Sequence, residues 1–198
     1  MTERHTKHDR IVRFLDAHDL DAVLLTRRCN FSWYTGGAHN YVGVACDAGN
    51  SSLLVTRDAA CVLTTNIEGT RLGGEELADA DIELREYPYY DPQAKVDAFA
   101  KAVKGLRAAA DAPVGGMDLP PLGRDVDRLR WQLTPEEIER YRGVVADTVG
   151  CVEAACRAAW PGRTENELAG DLAGRLRAAG LLPWVLLVAG DARVRLHR

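Results

Sequence analysis

The chain has 198 residues, 46% hydrophobic and 27% charged, with a formal net charge of −4. That is globular rather than disordered composition, long enough for one large domain or one domain plus part of another, and it carries no basic footprint for nucleic acid. The first ten residues contain no apolar h-region and no apolar run approaches the ~18 residues of a membrane span, so a cytoplasmic protein without a membrane partner is expected.

The first predicted element is a helix carrying Ile11, Val12, Phe14 and Leu15 on an apolar face and ending near His18-Asp19. Residues 22–26, Ala-Val-Leu-Leu-Thr, read as a buried strand. Asn30 is a plausible N-cap for a short helix through Tyr34, stopped by Gly36-Gly37. Runs at 41–46, 52–56 and 60–65, separated by Ala48-Gly49-Asn50 and Arg57-Asp58, predict an antiparallel meander. Residues 67–78 read as a helix, 82–87 as a strand, and Pro92 opens an Ala- and Lys-rich helix extending to Ala110. Pro113, Gly115-Gly116, Pro120-Pro121 and Gly123 then mark a domain boundary, with 114–119 able to hold one short strand. Beyond it, Thr134-Pro135-Glu136-Glu137 starts a helix to about Ala159, and Thr164-Glu165-Asn166-Glu167 forms a second capping box, for a helix that Gly180 ends. The last apolar run, 184–189, predicts a buried strand with too little chain after it to cover both faces. The five cysteines, Cys29, Cys46, Cys61, Cys151 and Cys156, form no C-x-x-C and are expected to be reduced and mostly buried.

This succession resembles the aminopeptidase P, prolidase and creatinase superfamily of pita-bread metallopeptidases. Leu20-Asp21-Ala22-Val23-Leu24-Leu25 followed by Asn30-Phe31-Ser32-Trp33-Tyr34-Thr35-Gly36 is similar to the family's N-terminal signature. Leu63 to Glu68, continuing through Arg71-Leu72 to Glu75-Glu76, is similar to its next strand–helix segment. Leu133-Thr134-Pro135-Glu136-Glu137-Ile138-Glu139 and Trp160-Pro161-Gly162-Arg163-Thr164-Glu165 resemble the start of its catalytic domain. The resemblance implies an α/β fold: a creatinase-type N-terminal domain with a mixed sheet and flanking helices over 1–125, then the truncated beginning of a pita-bread α+β domain over 126–198. It also implies a homodimer acting on proline-containing peptides.

Family hydrolysis uses two Mn-like divalent metals held by two Asp, one His and two Glu, suited to hard oxygen ligands. After Thr134 every acid but Asp191 falls on the two predicted helices, the only histidine is His197, and no Asp pair has the family spacing, so no metal ligand is assigned. Asp47 and Asp58 have that spacing but lie at successive turns, where Asp is favoured for its turn chemistry. The resemblance makes His197 a candidate catalytic histidine, of the kind that holds the tetrahedral intermediate; an alternative alignment puts that histidine just past Arg198. Tyr34, His39 and Arg71 are substrate-entrance candidates on or near the Gly36–Tyr41 loop, with core packing for Trp33 and Tyr34 and a surface ion pair for Arg71 as the competing readings.

Three functions follow from the resemblance. The chain is the N-terminal portion of a metal-dependent Xaa-Pro peptidase, inactive alone; or a non-catalytic creatinase-N binding or dimerisation module; or part of a metal-free creatinase-like C–N hydrolase.

Overall fold

A computed structural model describes residues 2–114 and 116–196. The chain divides into two units, 1–134 and 135–198.

In the first unit, α1 (Glu3–Ala17) is capped by Thr2, whose hydroxyl accepts the His5 N–H at 3.3 Å. Its Ile11, Phe14 and Leu15 are buried. β1 (Ala22–Arg27) follows, its first five residues buried. α2 (Arg28–Thr35) ends on Gly36 in the left-handed region (φ 80), a conformation a side chain would oppose. Asn30 is not the cap expected of it: it lies inside α2, and its amide donates to Asp111 at 2.8 Å.

β2 (Ala48–Thr56) and β3 (Ala60–Thr65) form a hairpin closed by the Thr56 N–H donating to the Ala59 carbonyl at 2.9 Å. The expected strand at 41–46 is absent and β2 instead absorbs Ala48-Gly49-Asn50. The cause is Asn40. Its side chain donates to the Thr26 carbonyl (3.1 Å) and the Ser51 carbonyl (2.7 Å), and its own carbonyl accepts the Asn50 N–H at 2.7 Å. Gly49 permits this approach, since a Cβ there would stand 2.5 Å from the Asn40 backbone oxygen and 2.2 Å from its amide nitrogen.

The helix expected over 67–78 is a short turn, α3 (Gly69–Arg71), running into a π-helical turn at Leu72–Glu76 closed by the Leu77 N–H on the Leu72 carbonyl at 2.8 Å. Gly69, Gly73 and Gly74 weaken regular helix across this segment. β4 (Glu83–Tyr87) pairs in parallel with β3, and α4 (Pro92–Val103) starts at Asp91, which accepts the Gln93 and Ala94 N–H groups. α4 stops at Val103 rather than Ala110: Gly105 takes φ 77, and Ala108–Ala110 become β5, parallel to β1. All three alanines are buried between neighbouring layers, so packing overrides their helix propensity. Among the described residues of 114–119 no strand forms; a bridge joins Ala110 and Pro121 before the short α5 (Asp125–Arg128).

The sheet order is β4-β3-β2-β1-β5 and it is mixed, as expected. Val23, Leu25, Leu53, Val55 and Val62 point to one face, packed with α1, α2 and Val126 of α5. Ala22, Leu24, Leu54, Cys61 and Leu63 point to the other, packed with Phe99 and Val103 of α4. The result is three layers with two apolar cores.

The second unit holds α6 (Pro135–Arg157), α7 (Glu165–Ala178) and α8 (Arg193–Leu196). The capping box at α7 forms, with the Thr164 hydroxyl accepting the Glu167 N–H and the Glu167 carboxylate accepting the Thr164 N–H. Gly180 ends the helix at φ 77, and the Leu181 N–H closes onto the Leu176 carbonyl. The expected buried strand at 184–189 does not form; Trp184, Val185 and Leu187 are exposed. No strand of this unit is available for them to pair with among the described residues. Along α6, Ile138, Tyr141, Val145, Val149 and Val152 are likewise exposed. The thiols also differ from expectation: Cys61 is buried, Cys151 half-buried, and Cys29, Cys46 and Cys156 exposed.

Gly49→Ala should lower stability by about 1–3 kcal/mol, because the added methyl meets backbone that Asn40 holds in place. Urea denaturation would read this as a lower midpoint at unchanged slope. Gly74→Ala, where a Cβ meets nothing within 4 Å, should cost far less.

Candidate functional site

The loop after α2 is held in place from both sides. Arg28 donates through Nη1 to the Val44 (2.7 Å) and Cys46 (3.1 Å) carbonyls, and its guanidinium lies 3.6 Å from the centre of the Tyr41 ring. Asn40 is buried on the sheet side, so His39 just before it is turned outward, 57% exposed and against Tyr41 with ring centroids 5.2 Å apart.

The structure brings two of the candidates together. Arg71 Nη2 donates to the His39 carbonyl at 3.1 Å, while Glu76 Oε2 accepts the His39 N–H at 2.9 Å. Arg71 itself is shared between Glu76 (2.7 Å) and Glu68 (2.9 Å), and Glu76 Oε1 stands 3.8 Å from His39 Nδ1. The guanidinium is thus engaged by two carboxylates and a carbonyl, which fits the ion-pair reading. It positions the loop, and the imidazole is the group offered to solvent. The sequence drew notice to Arg71 and Glu76 separately; their closure around a backbone peptide needed the π turn, which no periodicity predicts.

Tyr34 lies elsewhere, in the core together with Trp33. It is 2% exposed, and its hydroxyl meets His8 Nδ1 at 2.8 Å while His8 Nε2 meets the Arg57 carbonyl at 2.8 Å. A carbonyl can only accept, so Nε2 carries the proton and Nδ1 accepts from Tyr34 in the neutral ring. His8 was missed, although its spacing with Ile11 and Leu15 places it on the inner face of α1. Burial pushes the Tyr34 phenol up to about 12.

Asp47 sits at a bend before β2, its backbone carbonyl accepting the Arg28 N–H at 3.0 Å, and Asp58 lies in the β2–β3 connection. His197 lies outside the described residues. Among the described residues no three His, Cys, Asp or Glu side chains are close enough to hold a metal ion. Several acids of the second unit pair with arginines instead, Glu139 with Arg142, Glu153 with Arg157, Asp171 with Arg163 and Arg175, and the described residues do not assemble a two-metal centre. No helix among them is long and apolar enough to cross a membrane.

The Tyr34 phenol implies a specific alkaline behaviour. The folded state keeps its proton up to about 12, whereas the unfolded chain releases it near 10. Between those values the unfolded state binds fewer protons, so stability should fall as pH rises from about 10 to about 12. Tyr34→Phe should remove this component from the pH dependence of urea unfolding.

A comparison with protein-family models finds no match, and neither does one with curated protein sequences. Solved structures do match. An Xaa-Pro dipeptidase from Bacillus anthracis aligns over 89% of this chain and 49% of its own, at 18% identity and TM-score 0.66. A prolidase from Pyrococcus horikoshii aligns over 87% and 48%, at 19% identity and TM-score 0.65. An X-Pro aminopeptidase from Thermotoga maritima aligns over 87% and 49%, at 18% identity and TM-score 0.63. The chain therefore spans about half the length of these structures, and its fold is that of the N-terminal portion of prolidase and Xaa-Pro aminopeptidase structures.

Proposed function

We propose that this polypeptide is the N-terminal portion of a metal-dependent Xaa-Pro peptidase, of aminopeptidase P or prolidase type, and that it is inactive alone. One observation carries the reading: nearly nine-tenths of the chain superposes on half of each peptidase above, and the alignment extends beyond the 134 residues of the first unit. Residues 1–125 form the N-terminal domain in this reading and 126–198 begin the catalytic one. The two Mn-like metals and their Asp, His and Glu ligands belong to chain outside this sequence. The exposed apolar side chains of α6 and of 184–187 support the same reading, because such a row of Val, Leu, Tyr and Trp is normally covered in a complete domain.

In this reading the Arg71 clasp presents His39 at the substrate entrance of a homodimeric, cytoplasmic enzyme acting on proline-containing peptides. His197 holds the tetrahedral intermediate, and Tyr34 serves as a core residue bonded to His8.

The purified 198-residue chain should show no Mn²⁺-stimulated cleavage of Xaa-Pro dipeptides or of Xaa-Pro-Xaa peptides, followed by proline or amine release. Turnover by the chain itself would overturn its inactivity. Fusing it to the second half of a related peptidase tests the family reading separately. Metal-stimulated cleavage should then appear, and Arg71→Ala in that fusion should raise KM more than it lowers kcat, since Arg71 positions the loop and does not touch the reacting bond.

A further inference from the structure

A second site lies at the carboxyl ends of the parallel strands β1 and β5, where open α/β sheets bind ligands. A cleft of about 760 Å³ opens there, lined among others by Arg27, Asp111, Gly123, Arg124, Arg130 and Trp131. Its volume suits a small organic molecule. Its carboxylates are already engaged. Asp111 Oδ1 accepts the Thr26 N–H at 2.7 Å, its Oδ2 accepts the Asn30 amide at 2.8 Å, and both oxygens take the Arg27 N–H at 3.1 Å. Asp127 accepts from Arg130 Nη2 at 2.6 Å.

The cations are not matched in the same way. Among the described residues neither the Arg27 nor the Arg124 side chain makes a salt bridge or a hydrogen bond, Arg27 standing only within electrostatic reach of Asp111, and Arg130 Nε is buried with no acceptor. A buried donor left without a partner costs about 1–3 kcal/mol, so the lining of the cleft is not self-satisfied. Beside these donors the Trp131 indole is 74% exposed, with Arg128 at 5.8 Å from the ring centre. Unpaired guanidinium groups suit a phosphate, which takes charge-assisted and bidentate bonds from arginine, and an exposed indole suits a flat ring.

We propose that this cleft binds a small phosphorylated compound bearing a flat heteroaromatic ring, with Arg27 and Arg124 on the phosphate and Trp131 against the ring. The proposal stands independently of the peptidase reading. Nucleoside monophosphates have this chemistry, so the probe is adenosine 5′-monophosphate titrated into the full 198-residue chain by calorimetry. Inorganic phosphate and adenosine are titrated separately. Saturable binding of the nucleotide with Kd below about 1 mM is expected, weakened by added salt. The Arg27→Gln/Arg124→Gln double variant should bind at least about tenfold more weakly. It should fold normally, because both side chains are exposed, and an unchanged thermal midpoint checks this. Trp131→Leu should weaken the nucleotide but leave phosphate unaffected. No saturable nucleotide binding, or undiminished binding by the folded double variant, overturns the proposal. Phosphate alone binding as tightly as the nucleotide overturns the ring contact and with it the ligand class.

Discussion

The rest of the first unit depends on the double-sided burial of β1. Val23, Leu24 and Leu25 have no solvent exposure, and alternation along a strand sends Leu24 to one face and Val23 and Leu25 to the other. A strand of that kind needs a layer above and a layer below, as well as partners on both edges. The chain supplies α1 and α2 for one face, α4 for the other, β2 antiparallel on one edge and β5 parallel on the other. Three consecutive alanines suffice for β5 because the helix layer and its neighbours already fill the space around them.

Where β1 ends, its polar groups must be satisfied without another strand turn, and this positions the loops. Asp111 takes the Thr26 and Arg27 N–H groups, while Asn40 donates to the Thr26 carbonyl. These two side chains come from segments 71 residues apart in sequence, and they fix the start of α2, the His39 loop and the floor of the arginine-lined cleft around one strand terminus. Both candidate sites therefore derive their geometry from the same satisfied backbone. His39 is presented because Asn40 is buried next to it; Arg27 reaches solvent because it is the residue at which β1 leaves the sheet.

The second unit shows the converse. Its helices are locally well specified: the Thr164 box, the Pro135 start and the Gly180 stop all appear where sequence places them. Yet few of its apolar side chains are buried, Ala155 and Leu176 among them, and the 184–189 run finds no partner strand. Local capping forms helices without a core, since a cap needs only its own turn. A strand cannot form that way, because its hydrogen bonds belong to another segment.

The sequence by itself determined the features whose causes are local. These include the amphipathic α1, the apolar strand at 22–26, the hairpin at Arg57-Asp58, Pro92 and the Thr164 capping box, and, through the family resemblance that their order carries, the mixed α/β layout of the first unit. Tertiary structure alone decided where long-range partners replaced local preference. Asn40 turned a strand-like run into a loop and a turn-like Ala-Gly-Asn into strand. A vacant sheet edge converted helix-prone alanines into β5. The clasp joined His39 to Arg71, 32 residues away, and to Glu76 of the π turn. In each case the deciding bond runs between residues distant in the chain, and its energy exceeds the fraction of a kilocalorie by which one residue prefers helix, strand or turn.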